Sequence, residues 1–317
     1  MEYLILILSL AGIVLGADFL VKGAVVVARK CRVSSFVIGA VIVGIGTSLP
    51  ELVVSTVGAI GGNSEVAIGN VVGSNIFNVF AILGLTALFF PIAVSRENMK
   101  FEIPFCIAVS VLLMLLVYNF FVGGEPRLGR WDGAALLLVF TSFMWISLRR
   151  GKSSAAAGGE SVEEENKSLW FAAFSILGGL AALIVSSNFF VDEAVAIARK
   201  LGVSDAFISI TLLACGTSLP ELAASVTAAV KKDTDMALGN IIGSNIFNVT
   251  MILGTASLIT PLTTGKIGLV DYGAMILAAV LPMIFGIRGK ITRFEGLLML
   301  LCYAAYTWYI VTYVMAV

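Results

Sequence analysis

The sequence predicts an all-α, polytopic membrane protein of ten transmembrane helices, built as two inverted-topology five-helix repeats. Three observations predict it. Of the 317 residues, 59% are hydrophobic and only 13% are charged, about half the roughly 25% charge of a soluble domain. The mean hydropathy is +1.03. The chain also repeats itself, with residues 19–91 aligning without a gap on 189–261.

The composition excludes several classes. So little charge does not cover a water-facing surface, and so many apolar residues exclude a disordered chain. Twenty Lys+Arg balance twenty Asp+Glu, so no nucleic-acid partner is implied. With no histidine, triads, metal sites and haem sites that use one are excluded. Cys31, Cys106, Cys215 and Cys302 are scattered singly, which supports neither a disulfide framework nor a thiolate metal site.

Apolar windows of about 20 residues, the length of a span, fall at 3–28, 33–60, 66–92, 101–122, 131–149, 169–198, 203–230, 236–260, 269–287 and 294–316. The first has no basic n-region and no cleavage site, so it reads as a span and not as a signal peptide. The longest hydrophilic stretch, 150–168, runs from Arg150 and Lys152 through Gly, Ser and Ala to Glu163, Glu164 and Glu165. It reads as a flexible linker between a first repeat, 1–149, and a second, 169–317. Fourteen Lys and Arg, among them Arg29, Lys30, Arg149, Lys231 and Arg293, fall on the linker's side of the membrane against five on the other. The linker is therefore expected to be cytoplasmic and both termini extracellular, in a multi-pass protein of the cell membrane.

Within the repeat, 34 of 73 aligned positions are identical. Gly46-Thr-Ser-Leu-Pro-Glu51 returns as Gly216-Thr-Ser-Leu-Pro-Glu221. Gly73-Ser-Asn-Ile-Phe-Asn-Val79 returns as Gly243-Ser-Asn-Ile-Phe-Asn-Val249, preceded by Gly69-Asn70 and Gly239-Asn240. Five spans is an odd number, so the second copy enters the membrane from the opposite side, the construction of many secondary transporters. Two copies of this length do not make a solenoid.

Glu51 and Glu221 sit in otherwise apolar spans, where an ionised carboxylate costs at least about 2.5–3.5 kcal/mol on insertion scales. Neither has a Lys or Arg in its own span. Lys22 has Asp18 one turn back to pair with, and Asp192 and Glu193 are expected to be exposed near the outer end of their span. Two carboxylates meeting at a pseudo-two-fold axis require about two positive charges: one divalent hard cation or several monovalent ones. Pro50 and Pro220 break their helices and free the carbonyls of Gly46 and Gly216, loosening Thr47 and Thr217. Free carbonyls at that depth line a cavity or meet a ligand. Carboxylate, carbonyl and amide oxygens suit Ca²⁺. Ser48, Ser218, Ser74, Ser244, Asn78 and Asn248 add neutral oxygens that suit Na⁺, although small residues such as the serines and the Gly69/Gly73 and Gly239/Gly243 pairs also serve close helix packing. An enzyme is disfavoured, because no nucleophile–base pair exists without histidine and the blocks are symmetric. A channel subunit more often repeats in parallel around a pore.

These doubled blocks resemble the two α-repeats of the sodium/calcium exchangers, in the cation/calcium exchanger superfamily. The resemblance covers both repeats, the ten spans, the outward termini and the cytoplasmic linker. It implies Ca²⁺ held by Glu51, Glu221 and the carbonyls of Thr47 and Thr217. It implies one Na⁺ site from the Gly44 carbonyl, Ser48, Glu51 and Ser244, and another from the Ala214 carbonyl, Thr217, Ser218, Glu221 and Ser74. Asn78 and Asn248 match the middle positions between them. Potassium-dependent members carry Asp at the place of Asn248, so two amides here imply K⁺-independence. The short linker leaves no room for a regulatory domain and resembles the minimal, prokaryote-type form. The function expected is Na⁺/Ca²⁺ antiport by alternating access, electrogenic if more than two Na⁺ bind; the alternative is a Ca²⁺/H⁺ antiporter. The partners expected are Na⁺, Ca²⁺ and the lipid bilayer, with no cofactor, no nucleic acid and no obligate protein partner.

Overall fold

The computed structural model describes residues 2–119, 125–154, 168–202 and 214–314. The first half contains α1 (Glu2–Cys31), α2 (Ser35–Thr47), α3 (Leu49–Ile60), α4 (Ser64–Phe89), α5 (Asn98–Val117) and α6 (Arg130–Ser154). The second contains α7 (Leu169–Lys200), α8 (Leu219–Val230), α9 (Thr234–Ile259), α10 (Leu269–Gly286) and α11 (Arg293–Thr312). A single turn at Ala214–Gly216 leads into α8, and the rest of the expected span 203–230, residues 203–213, lies outside the described residues. The protein is all-α and crosses the membrane about ten times, counting bent and shorter helices.

Several boundaries move from where hydropathy places them. The expected span 33–60 is two helices that meet at Ser48 with a bend of 47°. Pro50 stands in the first turn of α3, where its missing N–H is no loss but the helix behind it does not continue. The expected span 101–122 ends earlier, at Val117, because Asn119 takes a left-handed φ of 49°. Helix α6 runs on to Ser154, so the first residues given to the linker are helical. There Arg149 stacks over Trp145 at 3.9 Å and Arg150 over Phe101 at 4.7 Å, contacts that hold an amphipathic side chain at a membrane edge. Helix starts follow their capping residues: Ser168 accepts from the Phe171 N–H at 3.1 Å, and Asp233 from the Met236 N–H at 3.0 Å.

The turns keep the period of the repeat. Arg32 and Gly202 both have positive φ, as do Gly62 and Lys232, and each pair is related by the same shift as the sequence blocks. Strand pairs tie the halves together: Ile92–Ala93 (β1) pairs antiparallel with Lys290–Ile291 (β4), and Arg127–Leu128 (β2) with Leu262–Thr263 (β3).

Long helices α1 and α7 pack along one another on small residues. A Cβ at Gly16 would lie 2.9 Å from the Gly179 carbonyl, and one at Gly179 would lie 2.7 Å from the Gly16 carbonyl. Backbone-to-backbone approach of this kind is how helices associate where apolar burial gives no drive. Helices α4 and α9 are innermost, and every residue of α9 from Met236 to Phe247 is buried. The outer helices turn large apolar side chains outward, with Trp131, Trp170 and Trp308 exposed near helix ends, where aromatic belts sit.

Asp18 does pair with Lys22, at 2.6 Å, but it also pairs with Lys231 beyond the end of α8, at 2.6 Å. Asp192 is exposed as expected, whereas Glu193 is only half exposed and its Oε2 is buried without a hydrogen-bond partner. The expected exposure of Glu193 is corrected: one of its carboxylate oxygens lies inside the protein.

The Gly239 position tests the packing of α9. A Cβ there would lie 2.2 Å from the Phe36 carbonyl oxygen, so Gly239→Ala must push two backbones apart. The expected result is a destabilisation of about 1–3 kcal/mol, read as a lower midpoint of thermal unfolding in detergent.

Candidate cation-binding site

The two helix breaks meet. Ser48 and Ser218 hold nearly the same backbone angles, φ −83°, ψ 10° and φ −91°, ψ 8°. Each precedes a short helix whose first turn carries a glutamate, Glu51 in α3 and Glu221 in α8, a position that favours negative charge. Both glutamates are 0% exposed. The hydroxyls cross between the halves: Ser48 Oγ donates to Glu221 Oε1 at 2.7 Å, and Ser218 Oγ donates to Glu51 Oε1 at 3.0 Å. The carboxylates from residues 170 positions apart are thereby brought into one buried cluster, and neither takes part in an ion pair among the described residues.

Around them are oxygens that nothing satisfies. Glu51 Oε2, Glu221 Oε2, Ser74 Oγ, Thr217 Oγ1, Asn78 Oδ1 and Asn248 Oδ1 are all buried without a hydrogen-bond partner. A buried acceptor left unpaired costs about 1–3 kcal/mol, more if charged. Four of them form symmetric pairs, Glu51 with Glu221 and Asn78 with Asn248, whereas Ser74 and Thr217 have hydrogen-bonded counterparts in Ser244 and Thr47; together the six acceptors suit a positive ion, and Ca²⁺ takes six to eight oxygens. Among the described residues no group of three or more Asp, Glu, Cys or His could hold a metal; the set rests on two carboxylates with neutral oxygens.

The remaining expected residues lie around this cluster. Ser244 Oγ donates to the Gly44 carbonyl at 3.3 Å, and Thr47 Oγ1 donates to the same carbonyl at 3.4 Å and to Asn240 Oδ1 at 3.3 Å. Pro50 and Pro220 occupy the first turns of α3 and α8. Ala214 opens the single turn before the second break. Asn78 and Asn248 each begin a wider, π-type turn, Asn78–Leu83 and Asn248–Ile252, a deformation common at functional sites.

Four asparagines that sequence reasoning quoted but gave no role form the supporting shell. Asn70 Nδ2 donates to the Glu51 carbonyl at 3.3 Å and to Ser55 Oγ at 3.0 Å. Asn240 Nδ2 does the same to the Glu221 carbonyl at 3.2 Å and to Ser225 Oγ at 2.8 Å. Asn75 and Asn245 each donate to the other's backbone carbonyl, at 3.1 Å and 3.2 Å. The signal that could have found them is their exact recurrence in both blocks, since a buried amide repeated twice needs partners on each occasion.

The two halves are unequal in access. Gly239, Asn240, Gly243 and Phe247 on α9 are buried, while their equivalents Gly69, Asn70, Gly73 and Phe77 on α4 are half exposed.

Paired acids without a basic partner among the described residues, together with unpaired oxygens in the core of an all-α bundle, suit a membrane transporter of cations. The family model for the sodium/calcium exchanger protein matches residues 1–149 and 171–312, and the chain belongs to that family. It is 34% identical to the sodium/calcium exchanger MaX1 of Methanosarcina acetivorans, over 96% of this chain and 97% of that protein. It is 33% identical to the inner membrane protein YrbG of Escherichia coli, over 87% and 86%. A solved structure of the sodium-calcium exchanger NCX_Mj soaked with 10 mM Na⁺ and zero Ca²⁺ superposes with a TM-score of 0.83 at 32% identity, covering 98% of each chain.

Asn240→Ala removes the donor to Glu221 and Ser225 and the acceptor for Thr47 together. The expected cost is about 1–3 kcal/mol for the polar groups left unpaired, and Asn240→Ala should therefore unfold at lower temperature than the parent protein.

Proposed function

We propose that this chain exchanges Na⁺ for Ca²⁺ across the cell membrane by alternating access, electrogenically and without K⁺. One observation carries the reading: two buried carboxylates with no basic partner among the described residues, accompanied by buried oxygens that lack a hydrogen-bond partner. Ca²⁺ takes Glu51, Glu221 and the carbonyls of Thr47 and Thr217. Na⁺ takes two overlapping sets, the Gly44 carbonyl, Ser48, Glu51 and Ser244 on one side, and the Ala214 carbonyl, Thr217, Ser218, Glu221 and Ser74 on the other. Asn78 and Asn248 supply the middle. Because both ions draw on the same two carboxylates, they exclude one another, and that exclusion makes the carrier an exchanger.

Charge supports the finer points. The site has two formal negative charges, and amides at 78 and 248 add none. One Ca²⁺ neutralises it, whereas more than two Na⁺ leave it positive. Each net charge that crosses then responds to the membrane potential by about 2.3 kcal/mol per 100 mV. No third carboxylate is present in the set to hold K⁺. The repeats 1–149 and 169–317 insert in opposite senses, with the linker 150–168 in the cytoplasm and both termini outside, in keeping with the excess of Lys and Arg on the linker's side. The unequal burial of α4 and α9 suits a carrier whose two sides differ in one end state.

The test is flux into proteoliposomes. With Na⁺ inside and ⁴⁵Ca²⁺ outside, uptake should require the outward Na⁺ gradient, should be unaffected by K⁺ and should slow when the inside is made negative, because more than two Na⁺ leaving for each Ca²⁺ that enters carry net positive charge outward. Uptake that ignores Na⁺ and follows a pH gradient would replace the reading with Ca²⁺/H⁺ antiport.

Glu51→Gln and Glu221→Gln should each abolish Ca²⁺ exchange while the purified protein keeps its elution profile, because each removes half the charge and leaves the shape. Acidification should slow exchange reversibly, since protonating a carboxylate ligand removes the charge a cation needs; a rate flat across the acid range would count against ionised ligands.

A further inference from the structure

The middle of the site poses a question of direction. An asparagine amide has two nearly isosteric ends, one that only accepts and one that only donates. An Nδ2 turned into the site would repel a cation; an Oδ1 would bind it. Nothing in Asn78 or Asn248 themselves decides which end faces inward.

The surrounding hydrogen bonds do decide it, starting from the backbone. Asn245 meets the backbone carbonyl of Asn75 at 3.2 Å, and a carbonyl only accepts, so that end of Asn245 must be its Nδ2. Its Oδ1 is then the end that meets Asn78, at 3.0 Å, and an oxygen there demands the Asn78 Nδ2. Asn78 is left with its Oδ1 buried and unpartnered. The mirror chain runs identically. Asn75 Nδ2 is fixed by the Asn245 carbonyl at 3.1 Å, Asn75 Oδ1 meets the Asn248 Nδ2 at 3.0 Å, and Asn248 Oδ1 is left free. All four side chains are at least 98% buried, so water offers no alternative partner.

We propose that Asn75 and Asn245 are positioning residues that set the polarity of the cation site: by a relay crossing between the repeats, they hold Asn78 and Asn248 with their carbonyl oxygens inward. The inference rests on the proposed cation exchange and goes beyond it, because it assigns selectivity for positive ions to two residues outside the ligand set. It also accounts for the strict reciprocity of the four bonds. Reversing any one amide sets oxygen against oxygen or nitrogen against nitrogen at each bond that amide makes.

The test is a double-mutant cycle read as Ca²⁺ affinity. Asn245→Leu keeps the volume and removes both relay bonds, so Asn78 is free to turn. It should raise the Ca²⁺ concentration for half-maximal binding about tenfold, measured as Ca²⁺-dependent thermal stabilisation, and raise the half-saturating Ca²⁺ of flux more than it lowers the maximal rate. In a chain that already carries Asn78→Ala, the same substitution should add less than twofold, because it acts through that amide. A role in helix packing alone would lower the melting temperature but leave Ca²⁺ affinity within twofold, or would add fully to Asn78→Ala; either result overturns the proposal. If Asn245→Leu does not fold, Asn75→Leu with Asn248→Ala tests the mirror relay. The parent protein gives an independent reading. With ¹³C,¹⁵N-asparagine, Ca²⁺ should shift the Cγ resonances of Asn78 and Asn248 and leave their Nδ2 resonances in place, and a shift centred on Nδ2 would sink the idea. Absence of any Ca²⁺ or Na⁺ binding by the parent protein would fail the exchange reading itself, whereas normal binding with an unaltered Asn245→Leu affinity would fail only the relay.

Discussion

The structure depends on two buried carboxylates that each half is unable to hold alone. Glu51 is bonded by Ser218 and Glu221 by Ser48, so each acid is positioned by a hydroxyl from the opposite half. No cationic side chain neutralises either one among the described residues. Uncompensated charge in a low-dielectric core is the most costly feature a membrane protein carries. The surrounding architecture, from the helix breaks to the amides behind them, is arranged around it.

That arrangement follows a consistent rule about donors and acceptors. Nearly every N–H donor near the cluster is turned away from it, toward a backbone carbonyl or a hydroxyl: Asn70 and Asn240 toward the glutamate backbones, Asn75 and Asn245 toward one another. What remains pointing inward is oxygen. A surface of acceptors with negative charge excludes anions and tolerates water poorly organised for it, so a desolvated cation is its natural occupant. The neutral hydroxyls and amides set how many ions share the charge; the carboxylates set how much charge there is to share.

The glutamate cluster and the long helices are held together in different ways. Helices α1 and α7 touch through glycine backbones, with the side chains of Ser186, Leu183 and Ile176 seated over Gly12, Gly16 and Gly23. Against this, Asp18 on α1 bridges Lys22 on its own helix and Lys231 just past α8. Its counterpart in the second half is Asn188, which carries no charge. The repeat is therefore symmetric at the two glutamates and asymmetric at the edge, as the unequal burial of α4 and α9 also shows.

By itself the sequence determined the class of protein, the doubled blocks and the two acids, because apolar length and recurrence are properties of the chain read in order. It also located the break at Pro50, since proline's missing donor acts within one turn. It did not reach the end of α5 at Asn119, where a left-handed residue stops the helix, or the buried half of Glu193. Nor did it reach the pairing of Ser48 with Glu221 or the direction of the asparagine amides. Those were decided only by the tertiary structure. Each is a hydrogen bond between residues some 170 positions apart, and which atom donates depends on what lies opposite once the halves have met.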